Sequence, residues 1–374
     1  MKATQAVDLE DSDGLIVADR DGLLRAASTA GAQVRAVAAG RDEGELDALS
    51  GVGRPRTVTW VAGRGTAETA GVMLAATLGS AASTPIAVAS DVPPWVGPLD
   101  VLIVAGDDPG DPTLVSAAAT GVRRGARVVV VAPFEGPLRD STAGRVAVMA
   151  PRLLVPDEFG LCRYLAAGLA TLQAVDPRLS IDLESLADEL DAEVLHNSAG
   201  REVFTNPAKT LASRVSGSRL VLAGDNAATL ALARHGSSVL LRVAQRVAAA
   251  TGLVDAIVAL RTRLPGGPHN AGYASSSEDA LFHDEEIDGP LPERLRVLAL
   301  ALAGDRTVVA ARIAGLDDAS LVAADAPKAL DSRGGLTGSV GLMTSTGVQR
   351  AELQLAVLAV RLEMAAVYLR LMRG

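Results

Sequence analysis

Residues 99–132 read LDVLIVAGDDPGDPTLVSAAATGVRRGARVVVVA, and this stretch decides the fold class. The apolar run 100–105 predicts a buried strand, 113–124 has the apolar spacing of a helix, and 127–132 predicts the next strand. A strand–helix–strand unit this short requires a parallel sheet, and ligands of such sheets bind beyond the carboxyl ends of the strands. The loop at residues 106–112 lies at that edge, so we expect a binding site there.

The loop carries carboxylates where an anion site would be expected. Asp107, Asp108 and Asp111 stand with Gly110 just before the predicted helix, where carboxylates complement the helix dipole and repel a phosphate. The aspartates have two interpretations. They form a site for a cation or a polyhydroxyl ligand, or they serve as turn and N-cap residues, which the ordinary preferences of Asp favour.

Apolar runs separated by glycine-containing turns divide the chain into three parts. We predict an N-terminal helical arm over residues 1–55, a first doubly wound body over 56–180, and a second over 181–374 that ends in a long helix. The predicted fold class is therefore α/β, with two parallel-sheet bodies in tandem. A helix predicted over 19–39 gives the arm the character of a lid or a packing segment.

Two segments, 58–67 and 219–228, share one design, in which an apolar strand, a turn with glycine and an Ala/Leu helix follow one another. Backbone N–H groups at such a helix N-terminus can hold a ligand, but a tight turn of this kind needs glycine regardless. Both interpretations stay open for the turn residues, which are Gly63, Arg64, Gly65 and Thr66 in the first body and Gly224, Asp225 and Asn226 in the second.

Three further predictions concern the remaining elements. Residues 153–155 predict a short fifth strand, and 238–241 fit either a strand or a helix. The last helix, predicted over 346–372, is apolar nearly all round, so we expect it to cover the seam between the bodies. Its apolar excess also allows a homodimer.

The composition excludes several classes of protein. With 35 Lys and Arg against 44 Asp and Glu, the net charge of −9 gives no basic field for nucleic acid or an anionic membrane. No apolar run is long enough to span a bilayer, and aromatic residues make up only 2%, too few for base stacking. A single cysteine, Cys162, and the absence of a signal-like segment before the acidic residues 8–13 predict a cytoplasmic protein.

Histidine and carboxylate residues concentrate in a predicted long loop over 264–292, which carries His269, His283, Glu285 and Glu286. An acid and a base with separated pKa values could carry enediol chemistry from such a loop. A solvated acidic loop is the commoner explanation of such a charge run. The spacing of the histidines is not that of a metal site, and we predict neither a metal nor another cofactor.

Three other candidates have structural interpretations. His235, beside Arg234, is predicted to complement the dipole at the end of a helix. Cys162 is predicted to be a core residue, because no nearby His could activate its thiol. Lys209 follows Asn206-Pro207-Ala208 and is predicted to be a solvated side chain in a first helical turn.

Several segments, taken in order, resemble tandem sugar isomerase (SIS) domain proteins. They are VAGRGTA at 61–67, PWVG at 94–97, the strand–helix–strand unit through RRGA at 123–126, NPAK at 206–209 and VYL at 367–369. The closest likeness is to the bifunctional phosphoglucose/phosphomannose isomerases, and the whole chain looks most like their actinobacterial TobH-type branch. The resemblance implies a SIS fold and a sugar-phosphate ligand, and it adds Lys209 to the ligand-binding candidates.

The chain departs from that family at the positions that carry its chemistry. The family holds the substrate phosphate with a Ser-rich loop, and residues 107–112 here keep the glycine but lack the hydroxyls. A family Glu follows His-Asn, whereas His269-Asn270 is followed by Ala271, and a family His aligns with residues 304–306. The resemblance therefore implies that the acid and base for proton transfer between C1 and C2 are missing.

Two functional hypotheses follow. In the first, the chain binds a carbohydrate derivative such as a sugar phosphate, with weak or no catalysis, and serves as a sensor or as a partner of a carbohydrate-metabolism enzyme. In the second, it is an active aldose–ketose isomerase whose acid and base lie in the loop with His269, His283 and Glu286. A homodimer is compatible with both.

Overall fold

The computed structural model describes residues 7–50, 53–262, 294–324 and 350–373. The first body contains a five-stranded sheet in the order β2-β1-β3-β4-β5, and every neighbouring pair is parallel. Its strands are β1 (Val58–Ala62), β2 (Ile86–Ala89), β3 (Val101–Ala105), β4 (Arg127–Val131) and β5 (Ala147–Val148). Strands β1 and β3 are buried along their whole length; β3 is apolar throughout, and β1 is apolar except for Thr59.

The fifth strand is not the one that the sequence predicts. It lies at Ala147–Val148 and pairs with β4, whereas residues 153–155 form no strand. Leu154 is exposed and Leu153 partly so. The prediction was wrong because a short apolar run has no periodicity that distinguishes a paired strand from an exposed loop.

Helices follow the strands and cover the first sheet. They are α4 (Gly65–Leu78), α5 (Pro112–Arg123), α6 (Gly136–Thr142) and α7 (Leu161–Val175). Helix α5 has Pro112 in its first turn, where the missing N–H leaves no bond unmade, and Asp111 caps it. The strand–helix–strand unit predicted from residues 99–132 is confirmed.

The second body repeats this arrangement with the sheet order β7-β6-β8-β9, again parallel throughout. Its strands are β6 (Arg219–Gly224), β7 (Ala248–Gly252), β8 (Leu295–Ala301) and β9 (Ala319–Ala323). Its helices are α8 (Leu183–His196), α9 (Pro207–Val215), α10 (Ala227–Ala244), α11 (Leu253–Arg261) and α12 (Arg306–Ile313). Residues 238–241, ambiguous in sequence, belong to α10. The predicted tandem α/β fold is confirmed.

The N-terminal arm is a packing segment built from three short helices, α1 (Ser12–Ala18), α2 (Leu23–Ala27) and α3 (Ala30–Asp42). The single helix predicted over 19–39 was wrong. The carboxylate of Asp19 accepts hydrogen bonds from the N–H groups of Leu23 and Leu24, at 2.8 and 2.9 Å, so a new helix begins there. Helix α3 packs on α7 and α8 with Val34 buried.

The C-terminal helix α13 (Ala351–Arg373) is buried on almost every side. It packs against α8, α9 and α10 of the second body and against α4 and α7 of the first, as a helix that covers the seam should. Its apolar side chains belong to one core cluster that continues through both bodies. Because this surface is used within the chain, it supplies no argument for a homodimer. Within the described ranges, no helix has the length and apolar character that crossing a bilayer requires.

Candidate functional site

The loops after β1 and β3 meet at the carboxyl edge of the first sheet. A Cβ atom added to Gly63 would lie 2.4 Å from Oδ2 of Asp111, so the two loops are in direct contact. Gly65 has a φ of +71°, a conformation that favours glycine, and it turns the chain into α4. The loops that carry these two sets of site candidates therefore lie side by side.

A carboxylate from another part of the first body lies at the N-terminus of α4. The hydroxyl of Thr66 donates a hydrogen bond to Oδ2 of Asp157, with 3.2 Å between the oxygens. Nη1 of Arg242 contacts the same Oδ2 at 3.1 Å, and its Nη2 contacts Glu158 at 2.8 Å. Because a helix N-terminus attracts anions, Asp157 lies where the anionic group of a ligand would bind.

Arg242 belongs to α10, so this contact joins the two bodies at the edge of the first sheet. No local sequence motif marks Asp157, Glu158 or Arg242, so these residues could not be predicted as part of the site. Arg64, by contrast, is exposed beside the same turn and has no hydrogen-bond or ion-pair partner within the described ranges. Its guanidinium is therefore free to contact a ligand.

Two of the three loop aspartates have local structural roles. Asp111 accepts the backbone N–H of Thr113 at 2.8 Å and caps α5, while Asp108 accepts the N–H of Gly110 at 2.8 Å within the turn. Asp107 is exposed and has no partner within the described ranges. The turn and N-cap interpretation thus applies to Asp108 and Asp111, and Asp107 leaves a carboxylate available at the edge.

A tyrosine lies beneath these loops with its hydroxyl unpaired. Tyr164, in the first turn of α7, is buried, and its Oη has no hydrogen-bond partner in the part of the chain that the structure describes. The guanidinium carbon of Arg163 lies 4.1 Å from the ring centroid. Burial raises the pKa of Tyr164, the charge of Arg163 opposes this, and the charges of Asp157 and Asp107 add to it.

The corresponding turn of the second body is held by its own side chains. A Cβ on Gly224 would lie 2.2 Å from the backbone nitrogen of Leu230, so only glycine fits there. Asp225 forms an ion pair with Arg312 of α12. Asn226 caps α10 in a reciprocal pair with Thr229 and donates to Asp305 at 3.1 Å. The polar groups of this turn are therefore occupied within the chain.

Lys209 is not the solvated side chain that the sequence predicts. It is fully buried, and its Nζ donates to the carbonyl oxygens of Leu9, Ala199 and Arg201 at 2.6, 2.8 and 2.8 Å. Burial lowers its pKa, while the charges of Glu10 and Asp8 oppose the shift. All three ammonium hydrogens are therefore used within the chain, and the bond to Leu9 ties the N-terminal arm to the second body.

His235 is also placed differently from the prediction. It lies inside α10 rather than at its end, and its Nε2 is 2.8 Å from Oε1 of Glu363 on α13. Cys162, predicted to be a core residue, is buried, and burial raises the pKa of its thiol.

The predicted catalytic candidates His269, His283 and Glu286, with Glu285 beside them, lie outside the described residues. Within those residues, no three His, Cys, Asp or Glu side chains are grouped to hold a metal ion.

Two surface clefts lie away from this edge. One of about 400 Å³ surrounds the start of β6 and is lined by Arg219, Arg246 and Arg373. Arg373 donates to the carbonyl oxygen of Ala244 at 3.2 Å, so part of this charge serves the C-terminus of α10, whose dipole disfavours an anion. A groove of about 230 Å³ runs between α9 and β9, beside the exposed Phe204.

Comparison with known proteins identifies the fold. No family model matches the chain, and no curated protein matches it. A glucose-6-phosphate isomerase like protein from Thermus thermophilus is 20% identical, with 98% of this chain and 96% of that chain covered and a TM-score of 0.51. Tagatose-6-phosphate ketose/aldose isomerase from Escherichia coli is 14% identical, with 99% and 98% covered and a TM-score of 0.52.

The C-terminal domain of glucosamine-fructose-6-phosphate aminotransferase from Francisella tularensis is 10% identical, with 96% of each chain covered and a TM-score of 0.57. The likeness extends over nearly the whole length of each of these chains. This chain therefore has the tandem SIS fold of phosphosugar isomerase-like proteins. At these identities the likeness shows the fold alone.

Proposed function

We propose that this protein binds a carbohydrate derivative at the carboxyl edge of its first sheet and does not catalyse aldose–ketose isomerisation. The SIS fold supports the ligand class, because neighbours that share it are named for enzymes of sugar phosphates. The segments between Val61 and Leu369 that resemble phosphoglucose/phosphomannose isomerases support placing the chain near their TobH-type branch.

One set of contacts is the main reason for proposing that catalysis is lost. The hydroxyl of Thr66 and the guanidinium of Arg242 both bind the carboxylate of Asp157 at the N-terminus of α4. Asp107 and Asp108 add negative charge at the same edge, where the related enzymes have a Ser-rich phosphate loop. A phosphorylated substrate would have to displace Asp157 and approach these carboxylates, so the binding energy available to a transition state is reduced.

An active isomerase is the second candidate, and it rests on His269, His283 and Glu286. That candidate requires both a phosphate site and a positioned acid and base. The contacts around Asp157 disfavour the phosphate site, and for this reason we prefer the binding function.

A second copy of the chain, or an enzyme of carbohydrate metabolism, is the macromolecular partner that we propose.

Hydrogen exchange in deuterated water tests the absence of catalysis. The protein is incubated with glucose 6-phosphate or mannose 6-phosphate, and deuterium at C2 is followed by proton NMR. Enediol chemistry exchanges this hydrogen even when little net product forms. We expect exchange at the rate of a protein-free blank, with an authentic phosphoglucose isomerase as the positive control.

Ligand binding is tested separately by thermal shift with phosphosugars, nucleotide sugars and free sugars. We expect at least one carbohydrate to raise the melting temperature. In the exchange experiment described above, deuterium incorporation at C2 above the blank would contradict the proposal and establish the isomerase. An unchanged melting temperature with every carbohydrate would contradict the ligand class and leave a protein partner as the target.

A further inference from the structure

Two fully buried tyrosines differ in how their hydroxyls are satisfied. Tyr368 donates a hydrogen bond to the carbonyl oxygen of Asn197 at 2.6 Å. The Oη of Tyr164 makes no hydrogen bond of good geometry within the described ranges, and neither does the buried Nη1 of the adjacent Arg163, although the Arg163 guanidinium lies over the ring and acts to lower the pKa of the phenol. A buried polar atom without a partner is unfavourable, and a ligand or water that reaches it can complete its bonding.

The position of Tyr164 relates it to the site. A Cβ atom added to Gly160 would lie 3.5 Å from Cε2 of Tyr164, the ring atom next to the carbon that carries the hydroxyl. The same added atom would lie 3.1 Å from the carbonyl oxygen of Asp157. The hydroxyl-bearing end of the ring is therefore beside the turn that presents Asp157 to Thr66.

The charges around Tyr164 define what could bind. The backbone of Asp157 lies beside the ring of Tyr164, and the charges of Asp157 and Asp107 both raise the pKa of its phenol. Carboxylates accept hydrogen bonds and repel anions, whereas a phenol donates and accepts. A group with several hydroxyls and no negative charge matches this set, and a phosphate does not.

We propose that this edge of the first sheet binds the hydroxyl groups of an unphosphorylated sugar ring, with Oη of Tyr164 completing its hydrogen bonds on the ligand. This inference rests on the proposed carbohydrate-binding function and specifies its ligand. Asp157 and Asp107 accept hydroxyl hydrogens, and Thr66 keeps its bond to Asp157. Arg163 is half-buried and lies over the ring, so the inference requires this side chain to move when the ligand enters.

The experiment compares hexoses with their phosphates. Glucose, mannose, glucose 6-phosphate and mannose 6-phosphate are titrated into the full chain, with the dissociation constant measured by calorimetry or by saturation-transfer NMR. We expect at least one free hexose to bind about tenfold or more tightly than its 6-phosphate. Tyr164→Phe should weaken the binding of that hexose about 3- to 10-fold, as expected for one lost hydrogen bond.

Tyr368→Phe is the matched control, because it removes the same atom from a buried tyrosine whose hydroxyl is already bonded within the chain. It should lower the melting temperature and leave the dissociation constant unchanged. Tyr164→Phe should do the reverse, with a melting temperature at or above that of the parent protein, since no internal bond is lost.

Three outcomes would overturn the inference. If Tyr164→Phe lowers the melting temperature and leaves hexose affinity unchanged, the hydroxyl is structural. If a hexose 6-phosphate binds more tightly than the free hexose, the ligand assignment is wrong, but the carbohydrate-binding function stands. If no hexose binds in either form, this inference fails, and the carbohydrate-binding function fails with it only if the nucleotide sugars also leave the melting temperature unchanged.

Discussion

Nε2 of His235 lies 2.8 Å from Oε1 of Glu363, and this pair joins α10 to α13 in the interior. Both side chains are almost completely buried. Removing one partner would leave the other polar group unsatisfied in the core, which is more destabilising than the pair is stabilising. The pair therefore fixes how the C-terminal helix packs against the second body.

The pair predicts a pH dependence of stability. Burial raises the pKa of Glu363 above 4.5, although the hydrogen bond and charge of His235 oppose this. A raised carboxyl pKa makes the contribution of Glu363 to the unfolding free energy most favourable below pH 4.5, and this contribution falls as pH rises through the folded pKa. Urea titrations of the parent and Glu363→Gln across this range should show the parent losing stability relative to the variant. If the difference in unfolding free energy between the parent and Glu363→Gln does not change with pH, this prediction is contradicted.

Lys209→Met tests the anchor of the N-terminal arm. The substitution leaves the carbonyl oxygens of Leu9, Ala199 and Arg201 without their donor, so we expect the free energy of unfolding to fall by about 1–3 kcal/mol. Arg214→Met, on the exposed side of the same helix, should change it by less than about 0.5 kcal/mol. Equal effects in urea titrations would show that the buried ammonium is no more important than a surface cation.

Asp157→Asn tests whether this carboxylate excludes phosphate. The amide keeps the size of the side chain but removes the negative charge at the N-terminus of α4, so glucose 6-phosphate should bind about 3- to 10-fold more tightly. Glu158→Gln is the matched control, since Glu158 contacts Arg242 but has no bond to Thr66. An equal gain in both variants would indicate a general charge effect.

Replacing Asp107, Asp108 and Asp111 together with serine tests the loop after β3. Serine is a good N-cap, so α5 should keep its start and the protein should fold. We expect a gain in glucose 6-phosphate affinity from the new hydroxyls and the lost charge. The matching triple asparagine variant removes the charge alone and should gain less. If neither variant differs from the parent in calorimetry, the loop does not form a wall of the site.

Strands rich in large apolar residues could be predicted from the sequence, whereas strands built from small residues could not. Strands β3 and β4 are built mainly from Val, Leu and Ile, so their burial can be predicted directly. Strands β7 and β9 are built largely from Ala, Thr, Gly and Ser, and partners in the sheet, rather than local preference, make them strands. The start of α2 depends on the capping carboxylate of Asp19, which apolar spacing does not reveal.

For the candidate site, the sequence predicts the edge of the sheet on which its loops lie but not the contacts between its side chains. The order of strand, loop and helix placed the turns at Gly63 and Gly110 on one edge, because parallel strands end together. The contact of Thr66 with Asp157 and Arg242 joins residues 91 and 85 positions apart and needs the packed tertiary structure. Lys209 shows the same limit, since a lysine predicted on the surface is buried by the arm that folds over it.

The most direct measurement is a crystal structure of the protein grown with a high concentration of glucose 6-phosphate. We expect the Thr66 hydroxyl still to donate to Asp157 and no phosphoryl oxygen to lie within hydrogen-bond distance of Thr66. A phosphoryl group bound at the N-terminus of α4, with Asp157 displaced from Thr66, would contradict it.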